Sequence, residues 1–234
     1  MPIAPHEFWQ EIFPPHSFSA DAKGQYRDFF PATLPDGRQF LLPIRVLPGG
    51  SGRAVASLIV NQASFAVEDA LAEAMTATLR PLSPDVVVGV PTLGLPLANA
   101  VARRLGHARM VALGTSRKFW YDERLSEPMS SITSPGHERT LFLDPRMLPL
   151  LDGRRVVLVD DVISTGRSTL AAVRLLEKAR IRPVALCYAM AQTVRWRTSL
   201  AEHERHLPDL VRAAVTTPLL AAGTDDVWLP LSDE

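Results

Sequence analysis

The chain has 234 residues, with 25 basic and 25 acidic side chains and a formal net charge of zero. That length supports one α/β domain with a substantial core and a small appended subdomain, and the charge balance makes nucleic acid an unlikely partner, because a phosphate backbone calls for a basic surplus or stripe. The single cysteine, Cys187, excludes an internal disulfide and fits a reducing compartment; no apolar run approaches the roughly 20 residues needed to span a bilayer, and MPIAPHEFWQ lacks a basic-then-apolar leader pattern, so the expectation is a soluble, cytoplasmic protein without a membrane partner.

Residues 1–53 are rich in Pro, Gly and aromatic residues. Within them Leu34-Pro35-Asp36-Gly37 has turn chemistry and joins YRDFFPAT to RQFLLPIRVL, which predicts a hairpin. After the glycines at 49–52, AVASLIV is a continuous apolar run of strand length. SFAVEDALAEAMTATL follows, with Leu71, Met75 and Leu79 at helical spacing and Pro81 and Pro84 as a stop. DVVVGV, residues 85–90, is the next strand. Then come PTLG and the helix LPLANAVARRL, with Pro96 near its start and Gly106 past its end. ARMVAL is a third strand. Residues 115–146 are polar and irregular around an alternating segment, HERTLFLD. A strand over 155–159, a helix over 170–178 and the strand PVALCYAMA complete the pattern. Residues 208–234 fit the core poorly and are expected to form a lid with the N-terminal segment.

Apolar strands alternating with helices predict an α/β fold: a central, mostly parallel sheet with helices on both faces. Ligands bind such sheets beyond the carboxyl ends of the strands. The expected division is a hood or hairpin segment over 1–53, the α/β core over 54–207 and a tail over 208–234 that joins the hood.

The chemistry lies in VVLVDDVISTGRST, residues 156–169. Four apolar residues run into Asp160 and Asp161, read here as ending the strand on its ligand-binding edge. Ser164, Thr165, Gly166, Arg167 and Ser168 follow. Gly166 permits a tight turn and close backbone approach, and the helix behind it offers unpaired N–H groups and its positive dipole end. Hydroxyls and amides together make a phosphate cradle. Two carboxylates beside it point to a sugar phosphate, since carboxylates accept from vicinal hydroxyls. The plain alternative is a helix cap with an acidic turn. There is neither a GxxxxGK[ST] loop nor a GxGxxG fingerprint.

This stretch resembles the phosphoribosyl-pyrophosphate (PRPP) signature of the type I phosphoribosyltransferases. The likeness runs from about Ser57 to Ala191 and is greatest to the purine members that use adenine or xanthine. The resemblance implies transfer of 5-phosphoribosyl from PRPP to a nucleobase, with release of pyrophosphate, under a small hood and a flexible hairpin flap. Asp160 and Asp161 would hold the ribose hydroxyls, and through them or water a Mg2+ ion. Ser164 to Ser168 would hold the 5′-phosphate. Pro91-Thr92-Leu93-Gly94 would hold pyrophosphate through backbone N–H groups, and Arg117 and Lys118 would neutralise it. The flap would span about Glu127 to Arg139, including His137, with Trp120 and Tyr121 either stacking on the base or packing the flap's root. A homodimer is implied. Where adenine-specific members carry a flap glutamate, this chain reads Ile132-Thr133-Ser134-Pro135. Where they carry an acidic and a basic residue in the pyrophosphate loop, it has Pro91 and Leu93. The alternative is a non-catalytic regulator of the same fold that senses PRPP or nucleotide. Arg195, Arg197, Arg205 and Arg212 read as an ordinary solvated helix face.

Overall fold

The computed structural model describes residues 3–21, 24–129 and 139–231. The N-terminal hairpin forms as its turn chemistry requires. Strand β1 (Phe29–Thr33) pairs antiparallel with β2 (Gln39–Val46). Gly37 turns the chain at φ 87° and donates to the Leu34 carbonyl at 2.9 Å. Strand β3 (Arg53–Ala56) continues this sheet. AVASLIV is not one strand: after Ala56 the chain leaves the sheet and coils at Val60–Gln62, with Leu58 and Val60 buried. An apolar run records burial and does not by itself distinguish strand from coil.

Helix α1 (Phe65–Leu79) is capped by the Ser64 hydroxyl, which accepts from the Val67 amide. It buries Val67, Leu71, Met75 and Leu79 along one stripe, each full burial being worth roughly 1.5–3 kcal/mol. Pro81 and the left-handed Ser83 (φ 42°) end the run. Then follow β4 (Val86–Gly89), α2 (Gly94–Arg104), β5 (Val111–Ala112), β6 (Ser126–Met129), β7 (Arg139–Phe142), the short α3 (Leu148–Leu151), β8 (Val156–Ile163), α4 (Arg167–Lys178), β9 (Ala185–Gln192), α5 (Trp196–His203), β10 (Val211–Thr217), β11 (Leu219–Ala222) and β12 (Trp228–Pro230).

The core sheet is five-stranded in the order β10-β9-β8-β4-β5, and every pairing in it is parallel. Alternation splits its side chains between two layers. Val87, Val157, Val159 and Cys187 pack with α1 and α2. Val88, Leu158, Leu186 and Tyr188 pack with α4 and α5. Helices therefore cover both faces, and the strand ends are left to carry ligands.

Two expectations are corrected here. Strand β8 does not stop at Val159: Asp160, Val162 and Ile163 keep their register with Tyr188, Met190 and Ala191 of β9. The segment from 208 is not outside the core, because β10 is an edge strand of the core sheet, paired with β9 from Val211 to Thr217. Only beyond Pro218 does the chain join the N-terminal segment, where β11 pairs with β3 and β12 with β11. The antiparallel sheet β1-β2-β3-β11-β12 thus takes strands from both ends of the chain. Its inner face shares one cluster with α1, Met190 and Val215. Among the described residues no helix is long and apolar enough to cross a membrane.

Candidate functional site

The carboxyl end of β8 carries the acid pair. Asp160 is buried and Asp161 half-buried. The Asp161 backbone N–H donates to Asp160 Oδ1 at 2.9 Å. Burial raises the Asp160 carboxyl well above the ordinary range, and the neighbouring Asp161 charge adds to the rise. Burial raises Asp161 as well. No ion pair to either carboxylate occurs among the described residues. Two adjacent carboxyls held above their usual range, without a cation partner among the described residues, are groups that a hydroxyl donor or a cation would stabilise.

The chain then turns through Ser164 and Thr165, both half-buried, to Gly166 at φ 80°. Trp196 and Leu200 of α5 wall this glycine at 3.5–3.6 Å from where a Cβ would stand. Gly166 is the N-cap of α4, and no side chain caps that helix. The first-turn N–H groups of Arg167, Ser168 and Thr169 are therefore open to an anion. The helix starts at Arg167, one turn earlier than its apolar residues indicate. Arg167 is exposed, Ser168 is half-buried, and Thr169 is buried, sharing a 2.8 Å hydroxyl contact with Tyr188 of β9.

The loop after β4 lies against the same edge. Pro91 and Leu93 are half-buried, Thr92 is exposed, Gly94 is buried, and the Pro91–Thr92 peptide is cis. A Cβ on Gly94 would stand 2.6 Å from Asp160 Oδ1 and 2.7 Å from Asp160 Cα, so the start of α2 sits on the acid pair with room only for hydrogen. Helix α2, like α4, has no side-chain cap. Two uncapped helix N-termini thus flank two carboxylates, which gives one edge both anion-binding and hydroxyl-binding character.

Arg117 and Lys118 are not gathered into this cluster. Both are exposed on the loop after β5, and Arg117 pairs with Glu123 at 2.8 Å. Trp120 belongs to the root of the expected flap. Its indole N–H donates to Asp144 at 3.3 Å, and the Arg146 guanidinium lies 4.5 Å above its ring. Arg146 in turn holds the Asp144 carboxyl down to about 2. Tyr121 packs on Phe142 of β7. The flap itself, with His137 and Ile132–Pro135, falls mainly on residues 130–138, outside the described residues. Its roots β6 and β7 pair antiparallel, and Glu127 is tied to Lys178 of α4 at 2.7 Å. The four arginines expected on one helix face are scattered: Arg195 precedes α5, Arg197 stacks on Trp196, Arg205 lies past the helix, and Arg212 on β10 donates to the Asp209 carbonyl.

Trp196 and Tyr188 were not singled out from the sequence as parts of this edge; helix packing brings Trp196 to Gly166 and sheet register brings Tyr188 beside Asp160. Asp144 and Arg146, at the flap root, were not singled out either. Cavities of about 320 Å³ beside His107 and about 670 Å³ beside Arg38 lie elsewhere. The acid edge lies between two helix N-termini.

An all-parallel sheet covered by helices on both faces, with its loops gathered at the carboxyl ends of the strands, is the open α/β architecture in which ligands sit beyond the strand ends. Residues 57–214 match the family model for the phosphoribosyl transferase domain, and the chain belongs to that family. It is 36% identical over 93 residues to the transcriptional regulator GfcR of Archaeoglobus fulgidus, covering 40% of each chain. It is 34% identical over 125 residues to the adenine phosphoribosyltransferase of Rhodococcus opacus, covering 53% of this chain and 63% of the relative. The fold is shared with the adenine phosphoribosyltransferase of Giardia lamblia crystallised with 9-deazaadenine, at TM-score 0.58 and 22% identity over 74% of this chain and 93% of that one. The chain spans between about two fifths and three fifths of the length of the archaeal regulators it matches.

Proposed function

We propose that the chain binds PRPP on the β8–α4 edge and transfers its phosphoribosyl group to a nucleobase, a purine, with release of pyrophosphate. The observation that carries this is the contact of Gly94 with Asp160, which sets an uncapped helix N-terminus beside a carboxylate pair and a second uncapped N-terminus. The open amides of Arg167, Ser168 and Thr169, with the hydroxyls of Ser164, Thr165 and Ser168, hold the 5′-phosphate. Asp160 and Asp161 accept from the ribose hydroxyls. The Thr92–Gly94 backbone faces pyrophosphate; Arg117 and Lys118, exposed on the loop after β5 and outside this cluster, would have to swing toward it to lend it charge.

In the reaction the bond from ribose C1 to pyrophosphate oxygen breaks and its electron pair leaves with pyrophosphate. A base nitrogen gives its lone pair to C1 and sheds its proton. Positive charge grows on the sugar beside Asp160 and Asp161, and negative charge grows on the leaving group beside the α2 N-terminus. Catalysis here is positioning and electrostatic stabilisation, without a protein nucleophile. Magnesium fits this donor set, because two adjacent carboxylates supply hard oxygens. Asp160 and Asp161 would hold the ion through water or ribose, and when bound it neutralises pyrophosphate charge.

A second reading has its own support. The archaeal relatives carry the name of transcriptional regulators, and Pro91 and Leu93 leave the pyrophosphate loop without charged side chains. In that reading the same edge senses PRPP or nucleotide and performs no transfer. Calorimetry with PRPP and magnesium, followed by pyrophosphate release with a panel of bases, separates the two. Binding with release supports transfer, binding without release supports sensing, and no binding at millimolar PRPP sinks both. We also propose a homodimer, for which light scattering is the check.

A further inference from the structure

We propose that Thr217 and Gln192 read the hydrogen-bonding edge of the base, at the seam between the core sheet and the antiparallel sheet. This rests on the reading of the β8–α4 edge as a phosphoribosyl site. Thr217, at the last position of β10, is 4% exposed, and its hydroxyl has no partner among the described residues. A buried hydroxyl without a partner is uncommon and costs about 1–3 kcal/mol, so it marks a place where a partner belongs.

Register fixes which way this hydroxyl faces. Thr217 is the β10 neighbour of Gln192 at the last position of β9, and Val215 is the neighbour of Met190. Residues two apart on a strand share a face, and in-register residues of parallel strands share it too. Met190 and Val215 lie in the cluster that contains Leu42, Ala54 and Ala56 of the antiparallel sheet. The Gln192 amide nitrogen donates across the seam to the Ala56 carbonyl at 2.8 Å. Thr217 therefore faces the same seam. The Thr193 amide donates to the Thr217 carbonyl at 2.8 Å, with Thr193 at φ 62°, so the two strand ends are locked together.

Chemistry follows from what is left over. With one N–H of its amide held by Ala56, Gln192 offers the seam its carbonyl oxygen, which accepts, and one further N–H. The Thr217 hydroxyl both donates and accepts. The pair thus suits a planar heterocycle with one N–H donor beside one acceptor, as on a purine edge. The position suits it as well. Gln192 lies four residues beyond Tyr188, the β9 register partner of Asp160, which is about 13 Å along the strand from the acid pair. The sugar would be held at Asp160 and Asp161, and the base attached to it would reach toward the seam.

The test needs no turnover. Dissociation constants for a purine nucleoside monophosphate and for ribose 5-phosphate are compared in the wild-type chain, in Thr217→Val and in Thr217→Ser. Thr217→Val should weaken the nucleoside monophosphate roughly 3- to 10-fold, one hydrogen bond, and leave ribose 5-phosphate unchanged. Thr217→Ser should restore binding, and thermal stability should not fall in either variant. If Thr217→Val leaves both constants unchanged, or weakens both equally, the assignment is overturned. Gln192→Leu, which removes the acceptor, should also weaken the nucleoside monophosphate and leave ribose 5-phosphate unchanged; no change in either constant, or an equal loss of both, overturns the role of Gln192. Failure of the wild type to bind ribose 5-phosphate would instead remove the phosphoribosyl reading beneath it.

Discussion

Gly94 and Asp160 are packed so closely that the glycine's missing side chain is a structural requirement: a Cβ would stand 2.6 Å from the carboxylate oxygen and 2.7 Å from the Asp160 Cα. The second contact is to backbone and cannot rotate away. Gly94→Ala should therefore shift β8 or α2, costing roughly 1–3 kcal/mol, and should weaken PRPP binding more than it weakens the fold. Thermal unfolding and PRPP calorimetry on the same variant check this. Retention of wild-type binding would detach the start of α2 from the ligand-binding edge.

The acid pair makes a pH prediction whose sign is fixed. Burial holds the folded pKa of Asp160 and Asp161 above the unfolded value. The folded state therefore binds more protons than the unfolded state as pH rises above about 4. Stability from these groups is fully present below that pH and is lost as pH climbs through the folded values. Near neutrality the charged pair is a cost. Asp160→Asn should stabilise the fold there, by on the order of 1–3 kcal/mol, seen as a higher melting temperature, and the gain should vanish as pH falls toward 4. The same variant should lose PRPP binding. A variant less stable than wild type at neutral pH would show that the carboxylate serves the fold.

Much of this edge was legible in the sequence because its strands are nearly pure apolar runs. Val86–Gly89 and Val156–Val159 sit where DVVVGV and VVLV place them. The extension of β8 through Asp160 to Ile163 was not legible, because the Asp side chains obscure a backbone that still finds partners on β9. Strand β10, VRAAVTT, mixes polar and apolar residues at a sheet edge and looks like a tail until Val211 is seen opposite Leu186. The N-terminal and C-terminal strands share a sheet through pairs such as Val55 with Leu219. That the tail joins the hood was expected from the sequence, but the strands and register by which it does so, spanning most of the chain, leave no local trace. The hydroxyl of Thr217 was invisible for the same reason, since its significance is a missing partner.

At the flap's root, Asp144 gives the opposite pH behaviour. Its carboxyl is lowered to about 2, first by the side-chain hydrogen bonds from Arg146. Stability from this group is present above the unfolded value near 4 and is lost as pH falls through about 2. Because Arg146 is 61% exposed, solvent screening should hold the contribution to about 1 kcal/mol. Arg146→Ala should narrow the gap to wild type between pH 4 and pH 2, measured by acid unfolding, and should quench differently at Trp120 because the guanidinium no longer covers the ring. An acid midpoint that does not move would show the pair to be energetically silent.

The bond between Thr169 and Tyr188 is the link by which the core sets the cradle. Both residues are buried, at 3% and 1% exposure, and their hydroxyls lie 2.8 Å apart. Tyr188 stands on β9 in register with Asp160, while Thr169 lies in the first turn of α4, behind the open amides. Cutting the bond from one side strands the other hydroxyl in an apolar layer, so Tyr188→Phe and Thr169→Val should each cost roughly 1–3 kcal/mol. Removing both leaves no orphan, and the double variant should lose distinctly less than the sum. The functional consequence runs the same way. If the bond positions the first turn of α4, each single variant should also weaken ribose 5-phosphate binding, because the phosphate is met by amides that have shifted with Thr169. A double-mutant cycle read in both stability and binding separates the roles. Coupling in stability with unchanged binding would make the pair a core contact only, and the placement of the cradle would then rest on Gly166 and its packing against Trp196.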